Sequence, residues 1–195
     1  MLLAVDIGNT NIVLGVLDGE NLVYSGRFST HIHQTVEECA MNLYSFLNIH
    51  SIGKIDGAII SSVVPALVST VKGAVKLVTG VHALVVGPGI KTGLSIKIDD
   101  PAQLGADLVV GAVAAKEKYS QPTIIFDLGT ATTGTVLDKD GCCIGGMIAA
   151  GVKLSINALS TGTAQLPQID ISAPKKIIGT NTIDCMKSGT VIGTA

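Results

Sequence analysis

Two short stretches of this sequence share the same order of residue types, and together they constrain its fold more than any other feature. The first is Val5-Asp6-Ile7-Gly8-Asn9-Thr10-Asn11, and the second is Phe126-Asp127-Leu128-Gly129-Thr130-Ala131-Thr132-Thr133. In each, an Asp near the end of an apolar run is followed by Gly two residues later and then by small hydroxyl or amide residues. The apolar run predicts a buried strand, and the Gly lets the next turn approach a ligand of phosphate size.

Each stretch continues into a second strand that ends at an Asp-Gly pair, which is typical of a hairpin turn. The offset between the two copies is 121 residues at Asp6 and Asp127 but 120 at Asp18 and Asp138, so the repeat includes a one-residue slip. Two unrelated strands with Asp-x-Gly turns would also fit. The matching order and the matching hairpins favour a duplicated β-hairpin unit, one in each of two domains.

The composition indicates a well-packed globular chain and excludes several classes of function. Of its 195 residues 47% are hydrophobic and 14% charged, with 3% aromatic residues and no Trp. A net charge of −2 gives no electrostatic basis for binding nucleic acid or an anionic membrane. No apolar run reaches the length of a membrane span, and the first residues predict a strand rather than a signal peptide. The four cysteines form no C-x-x-C pair, which indicates a reduced, cytoplasmic compartment.

The first half of the chain alternates strands and helices. A third strand follows the first hairpin, and Thr35 with Glu38 has the pattern of a capping box at the start of a helix. A strand ending in Ser-Ser, a helix from Pro65 to Gly80 and a strand over 82–86 form a βαβ crossover, which implies parallel pairing. A helix capped by Asp99 or Asp100 is then predicted to run to about Tyr119.

Gln121-Pro122 ends that helix and is the predicted boundary between a first domain, 1–121, and a second, 122–195. The second hairpin, a third strand from Cys142 and a helix from Gly151 follow. A last helix, capped by Asn181 or Thr182, is predicted to reach Ala195. The second domain is therefore expected to be C-terminally short relative to the first.

Three acidic residues stand at organised positions, and the common nucleotide and hydrolase motifs are absent. The sequence has no P-loop pattern, no strand-linked G-x-G-x-x-G and no G-x-S-x-G. Asp6, Asp127 and Asp107, with two hydroxyl-rich turns, suit phosphoryl transfer, which depends on positioning phosphates and neutralising their charge. Asp107 lies among apolar residues and is either an acid favoured at a helix N-terminus or a general base in a cleft.

Five ordered motifs resemble those of the type III pantothenate kinases along essentially the whole chain. They are Asp6-Ile7-Gly8-Asn9-Thr10-Asn11, Pro88-Gly89-Ile90-Lys91-Thr92-Gly93-Leu94, Gly105-Ala106-Asp107, Phe126-Asp127-Leu128-Gly129-Thr130-Ala131-Thr132-Thr133 and Gly179-Thr180-Asn181-Thr182. The family belongs to the acetate and sugar kinase, Hsp70 and actin superfamily. The resemblance implies an α/β fold of duplicated ribonuclease-H-like (actin-like ATPase) domains, with mixed sheets flanked by helices.

The resemblance also implies an activity and a set of site residues. The activity is ATP-dependent phosphorylation of pantothenate to 4'-phosphopantothenate, the first step of coenzyme A synthesis, by a cytoplasmic homodimer that uses Mg with ATP. Asp107 would be the general base, and Asp127 would hold a monovalent cation, potassium or ammonium. The ATP site would comprise Asp6, Ile7, Gly8, Asn9, Thr10, Asn11, Ile12, Val13 and Thr130. The pantothenate site would comprise Gly105, Ala106, Asp107, Leu108 and Thr182, with Thr182 close to the subunit interface.

Two departures from the family pattern keep other functions open, a replaced residue and a chain that ends short of the family's usual length. The family motif usually reads Gly-Ala-Asp-Arg, and here Leu108 replaces the Arg, removing a bidentate partner for a carboxylate. The alternatives are a non-catalytic nucleotide-binding regulator of the same superfamily, and a kinase or phosphatase acting on another small molecule. Thr182 fits a plain helix cap as well as a substrate contact, and Asp127 fits a turn-forming role as well as a cation site.

Overall fold

The computed structural model describes residues 1–194 of the chain, which divides into two compact units, Met1–Lys118 and Tyr119–Ala195. Both units combine a sheet with helices, so the mixed α/β class predicted from the sequence is confirmed. Within the described residues, no helix combines the length and the apolar character needed to cross a membrane.

The first unit is built on a five-stranded mixed sheet in the order β3-β2-β1-β4-β5. The first three strands are antiparallel neighbours, whereas β4 runs parallel to both β1 and β5. The βαβ crossover predicts the parallel pairing of β4 with β5. The elements are β1 (Leu2–Ile7), β2 (Asn11–Asp18), β3 (Asn21–Ser29), α1 (Val36–Ile49), β4 (Gly57–Ser62), α2 (Pro65–Thr79), β5 (Leu84–Val85), a 3-10 turn (Pro101–Gln103) and α3 (Ala106–Lys118).

One face of this sheet carries the core. Alternate residues of β1, namely Leu3, Val5 and Ile7, are almost completely buried and pack in one cluster with the apolar stripes of α1 and α2. The intervening β1 residues, including Asp6, therefore point to the opposite face. Because of this alternation, β1 packs against the core on one face and carries the Asp6 carboxylate on the other.

Local chemistry fixes the ends of the two helices that cover the core. The Thr35 side chain accepts a hydrogen bond from the Glu38 backbone N–H at 3.2 Å, and the Glu38 carboxylate accepts one from the Thr35 N–H at 2.8 Å. This is the predicted capping box. Helix α2 ends at Gly80, whose φ of 75° lies in the left-handed region that glycine favours.

Three predicted elements are corrected by the structure. Asp100 caps only the 3-10 turn, and Leu104 adopts an extended conformation (φ −68°, ψ 122°), so the predicted long helix is interrupted before α3 begins at Ala106. The strand predicted over 82–86 shrinks to β5, because only Leu84 and Val85 pair with β4. The last α-helix ends at Val191 and continues as a 3-10 turn to Thr194, and Ala195 lies outside the described residues.

The second unit begins with a three-stranded antiparallel sheet in the order β6-β7-β8. Two helices follow, and Gly151 and Asn181 are their N-caps. The elements are β6 (Thr123–Leu128), β7 (Ala131–Leu137), β8 (Cys143–Ala150), α4 (Val152–Gly162), α5 (Thr182–Val191) and a closing 3-10 turn (Ile192–Thr194).

The two hairpin units share irregularities as well as strand order. The pairing of β2 with β3 shifts register between Val16 and Leu17, and that of β7 with β8 shifts between Val136 and Leu137, each pair 120 residues apart in the chain. In both units the extra residue is in the third strand. A β-bulge at the same place in two hairpins supports the duplication predicted from the sequence.

The one-residue slip of the repeat lies in the turn after the first strand. Four residues, 8–11, separate the paired Ile7 and Ile12, whereas three residues, 129–131, separate the paired Leu128 and Thr132. The strands on either side of each turn are therefore equivalent, and only the turn that follows the Asp differs in length.

Candidate active site

The turn after β1 is held by backbone hydrogen bonds and by Thr30. Gly8 N donates to Asn11 O at 3.0 Å, and Thr30 donates from its Oγ1 to Gly8 O at 2.7 Å and from its N to Thr10 O at 3.0 Å. The Asn9 and Thr10 side chains remain exposed at the tip. The turn is thus fixed to the end of β3 while it offers short polar side chains to solvent.

The turn after β6 has the equivalent backbone hydrogen bonds, but it is one residue shorter. Gly129 N donates to Ala131 O at 3.0 Å, and Gly151 N donates to Thr130 O at 3.1 Å. Thr130 therefore occupies the position that Thr10 occupies in the first turn. A Cβ atom at Gly151 would collide with the carbonyl oxygens of Gly129 and Thr130, so this close approach requires glycine.

Asp6 lies at the end of β1 and lines a cavity of about 400 Å³ on the sheet face opposite the core. Its in-register neighbour on the parallel strand β4 is Ser61, which lines the same cavity together with Val110 of α3. Ser61 is only 7% exposed, and its Oγ has no hydrogen-bond partner in the described residues. The carboxyl end of parallel strands is where ligands bind in open α/β sheets.

Asp107 is the second residue of α3 and is half-buried. Its Oδ1 accepts a hydrogen bond from Leu108 N at 2.8 Å, and the described residues give its side chain no other hydrogen bond. The preceding Gly105 lies against the end of β4, since a Cβ there would be 3.9 Å from Cγ1 of Val63. Val63 in turn donates its N–H to Ile7 O at 3.0 Å. Asp107 is therefore placed at the sheet edge where β1 and β4 end.

Asp127 is exposed and is paired in register with Thr133 across the β6–β7 hairpin. In-register residues of antiparallel strands point to the same face with their Cβ atoms about 5 Å apart. Oγ1 of Thr133 is buried and has no hydrogen-bond partner in the described residues. A carboxylate and an unused hydroxyl oxygen thus stand side by side in the second unit.

The remaining predicted site residues differ in what their side chains can contact. Ile7 and Ile12 are fully buried in the core, so their contribution to ATP binding would be through backbone atoms, whereas Val13 is 40% exposed. Leu108 is half-buried in α3. Thr182 is the exposed first residue of α5. The N-cap of this helix is Asn181, whose side chain accepts a hydrogen bond from Asp184 N at 2.9 Å. The capping role left open for Thr182 is therefore wrong.

The structure brings the predicted residues together within each unit. The first unit places Asp6 and Asp107 at the edge of its sheet where β1 and β4 end, and the second places Thr130 within the turn that follows the strand carrying Asp127. Sequence analysis missed Ser61 and Thr133. The signal for Ser61 was the Ser-Ser end of a predicted strand, and that for Thr133 was the hairpin register.

Comparisons with known proteins identify the family of the chain. Residues 2–195 match the family model described as type III pantothenate kinase. A type III pantothenate kinase of Halalkalibacterium halodurans is 44% identical over 195 residues, covering 99% of this chain and 77% of the relative. One from Bifidobacterium animalis subsp. lactis is 40% identical over 191 residues, covering 97% and 76%.

A solved structure of a Baf family protein from Campylobacter jejuni superposes with a TM-score of 0.60 at 17% identity, covering 98% of this chain and 75% of that chain. At this identity the likeness concerns the fold alone. The family model and the curated relatives, by contrast, match nearly the whole chain, and the relatives are 40–44% identical to it. The chain belongs to the type III pantothenate kinase family.

Proposed function

We propose that this chain phosphorylates pantothenate with ATP, giving 4'-phosphopantothenate and ADP, the first step of coenzyme A synthesis. The observation that carries the proposal is the match to type III pantothenate kinases at 40–44% identity over nearly the whole chain. The site geometry supports the same chemistry. Phosphoryl transfer needs fixed turns for phosphates, charge neutralisation and a base near the acceptor hydroxyl.

Asp107 is the proposed general base. A base must reach the hydroxyl proton of the acceptor, and a carboxylate already engaged on both oxygens would be a poor one. One oxygen of Asp107 is held by the Leu108 N–H, and the described residues give its side chain no other hydrogen bond. The bond fixes the rotamer, and the other oxygen can accept the proton.

The two polar turns are the proposed ATP phosphate site, and Mg would accompany the nucleotide. The first turn, 8–11, offers the exposed Asn9 and Thr10, and the second offers Thr130. Asp6, half-buried at the end of β1, would meet the cation that neutralises phosphate charge. Gly105, Ala106, Leu108 and Thr182 are kept as the proposed contacts to pantothenate.

Asp127 is the proposed site of the monovalent cation. Potassium and ammonium both take oxygen partners, and the Asp127 carboxylate with the unpartnered Oγ1 of its neighbour Thr133 fits such a donor set. A bound cation would also satisfy a buried hydroxyl that otherwise costs free energy. The homodimer, the cytoplasmic location and the division into ribonuclease-H-like domains at 121/122 stay predictions.

The test is a turnover assay that measures both products. Purified protein, ATP, Mg²⁺ and pantothenate should give equal amounts of ADP and phosphopantothenate, the latter identified by mass spectrometry, and only with potassium or ammonium present. Asp107→Asn should fold normally and lose at least about a hundredfold in turnover, within the range for a general base. The matched control is Asp99→Asn in an exposed loop, which should keep full turnover.

Three results would contradict parts of the proposal. ADP release that does not depend on pantothenate would show that pantothenate is not the substrate. Tight ATP binding without any turnover would favour the non-catalytic regulator. Full activity in Asp107→Asn would show that Asp107 is not the general base.

A further inference from the structure

One face of the β6-β7-β8 sheet is open to solvent, although its counterpart in the first unit is core. In the duplicated hairpins β6 corresponds to β1, with the two motif aspartates at equivalent positions. The alternate β1 residues that form the core are no more than 3% exposed. The equivalent β6 residues are Ile124, Phe126 and Leu128, which are 62%, 60% and 73% exposed. The same strand face is thus buried in one unit and bare in the other.

The neighbouring strands extend this face into an uncharged surface. Phe126 is paired with Gly134 of β7, and Gly134 is paired with Met147 of β8, so these residues lie on one face of the sheet. With Ile124 they line a cavity of about 380 Å³ that has no charged residue in its walls. We call Ile124, Phe126, Leu128 and Met147 the apolar face. With about 200 Å² for a fully exposed large side chain, it presents on the order of 500 Å², and patches of that size often mark interaction sites.

Strand β6 is also an edge strand, whereas β1 is not. In the first unit β1 lies between β2 and β4, but in the described residues β6 has only β7 beside it. A row of backbone N–H and C=O groups therefore faces outward along β6. The strand contains neither Lys nor Pro, which commonly protect exposed edges from pairing. Its sequence is typical of a strand with a partner on both sides.

The first unit shows what kind of segment covers such an edge and such a face together. Strand β4 pairs with β1 in parallel, and its alternate residues Ala58 and Ile60 are buried beside the core residues of β1. Helix α2 begins two residues after β4 ends and buries Leu67, Val71 and Val75 in the same cluster. A single strand–helix segment thus closes the edge of β1 and helps to cover its apolar side.

A second copy of this chain would meet only one of these two needs. Pairing of two β6 edges about a two-fold axis extends the sheet but leaves the apolar face of both copies in water. Packing of two apolar faces against each other covers the side chains but leaves both β6 edges unpaired. A segment that pairs with β6 and then folds back over the sheet meets both needs at once.

We propose that the β6 edge and the apolar face form a docking site for a strand–helix segment of the same type as β4 with α2. Its strand runs parallel to β6 with apolar residues at alternate positions, and its helix lays an apolar stripe over Ile124, Phe126 and Met147. The match to the Halalkalibacterium halodurans relative covers 77% of that protein, so the rest of it has room for such a segment. The inference does not depend on the proposed kinase activity.

The test uses the unmatched part of that relative as a separately made polypeptide and the whole chain as its partner. Isothermal titration calorimetry should show saturable 1:1 binding to wild type and none for a polypeptide of the same composition in scrambled order. Phe126→Ser should weaken binding at least tenfold, because it removes the centre of the apolar face. Leu77→Ser is the matched control, since Leu77 is 64% exposed on α2 of the first unit, and it should leave the affinity unchanged.

Hydrogen exchange tests the strand pairing separately from the apolar contact. The backbone N–H groups of 123–128 that face the open edge should exchange quickly in the chain alone and at least tenfold more slowly in the complex. Exchange in β8, at the opposite edge of the sheet, should stay unchanged. Binding without slower exchange in β6 would overturn the proposed docking mode.

Other results would overturn the site itself. These are no saturable binding to wild type, equal binding of the scrambled polypeptide, or equal affinity in Phe126→Ser. If Phe126→Ser does not fold, Ile124→Ser decides in its place. If light scattering shows that Phe126→Ser separates copies that associate in wild type, the occupant is a second copy and the inference is wrong. None of these measurements involves turnover, so the proposed function stands or fails independently.

Discussion

Gly105 and Asp107 are so close that a Cβ atom on residue 105 would collide with Oδ1 of the aspartate. Gly105 is also the residue whose carbonyl accepts the first hydrogen bond of α3, from Val109 N at 3.0 Å. Residue 105 must therefore be glycine, because any side chain there would occupy the space of the Asp107 carboxylate. Glycine lets the Asp107 carboxylate fold back to the Leu108 N–H at the start of the helix.

Gly105→Ala should displace the Asp107 carboxylate without unfolding the protein. The atom in the way is the end of a side chain, which rotates more easily than backbone moves. A base displaced by about 1 Å costs up to about a hundredfold in rate, so we expect kcat to fall by ten- to a hundredfold. Steady-state kinetics and a urea unfolding curve measured together test this, with the unfolding midpoint expected to stay nearly constant.

Gly111→Ala is the control in the same helix. A Cβ at Gly111 would meet no atom within 4 Å, so the substitution should fit. Replacing Gly by Ala inside a helix stabilises it by up to about 1 kcal/mol. We expect the midpoint to rise and kcat to stay unchanged. If both glycine variants lose activity equally, the loss has nothing to do with the Asp107 carboxylate.

Thr133→Val should weaken the response to monovalent cations. Valine has the shape of threonine but lacks the oxygen that lies beside Asp127. A hydrogen-bonding group next to a charge contributes about 1.5–3 kcal/mol, so the potassium concentration for half-maximal activity should rise about tenfold or more. A potassium titration of turnover measures it. Thr132→Val, on the opposite face of β7, is the control, and an equal shift there would argue against a Thr133 site.

The capping box of α1 should contribute about 1 kcal/mol to the free energy of unfolding. Thr35→Ala removes an N-cap and leaves the Glu38 N–H without its partner, which typically costs about 1 kcal/mol. Glu38→Ala breaks the reciprocal bond to the Thr35 N–H. Urea unfolding of both variants and of the double variant should show a combined loss smaller than the sum, because the two bonds form one unit.

Exposed Glu37 gives the comparison for that experiment. It lies in the same first turn but outside the capping box, so Glu37→Ala should change stability by no more than about 0.5 kcal/mol. A loss at Glu37 as large as that at Thr35 would indicate a general charge effect at the helix N-terminus.

The capping box also shows which parts of the fold are predictable from sequence. Thr35 with Glu38, and the Gly80 terminus of α2, depend on contacts between residues at most four apart, and both were predicted correctly. The break at Leu104 was not, because Asp-Pro-Ala-Gln-Leu has the local composition of a helix start. Gly105 lies beside Val63, a residue distant in the chain, and no short-range pattern shows that placement.

The same distinction applies to the site. Asp6, Asp127 and Asp107 were proposed as site residues from the sequence because each lies within a short motif whose order is visible there, and their roles stay predictions. Ser61 and Thr133 could not be proposed in this way, since each becomes relevant only through the strand register that sets it beside an aspartate. A one-residue change in register would turn either hydroxyl to the other face of its sheet.

The four cysteines should differ sharply in reactivity. Cys39 is 2% exposed on α1, and burial raises the pKa of its thiol to about 11, so at pH 8 it is almost entirely the unreactive thiol. Cys142 and Cys143 are also buried, whereas Cys185 on α5 is exposed, and all four are free. A thiol-specific chromogenic reagent should therefore label one site quickly in the native protein and all four in denaturant. Cys185→Ser should abolish the fast phase.

Burial of Cys39 should also make stability depend on alkaline pH. Its folded pKa lies above the ordinary value of 9.0, so the folded state holds the proton more tightly than the unfolded state. The contribution is fully present below about pH 9 and is lost as the pH rises through about 11. Urea midpoints measured between pH 8 and 11 should fall more steeply for wild type than for Cys39→Ala, which has no thiol to ionise. Parallel pH profiles would show that ionisation of this thiol does not contribute to alkaline unfolding.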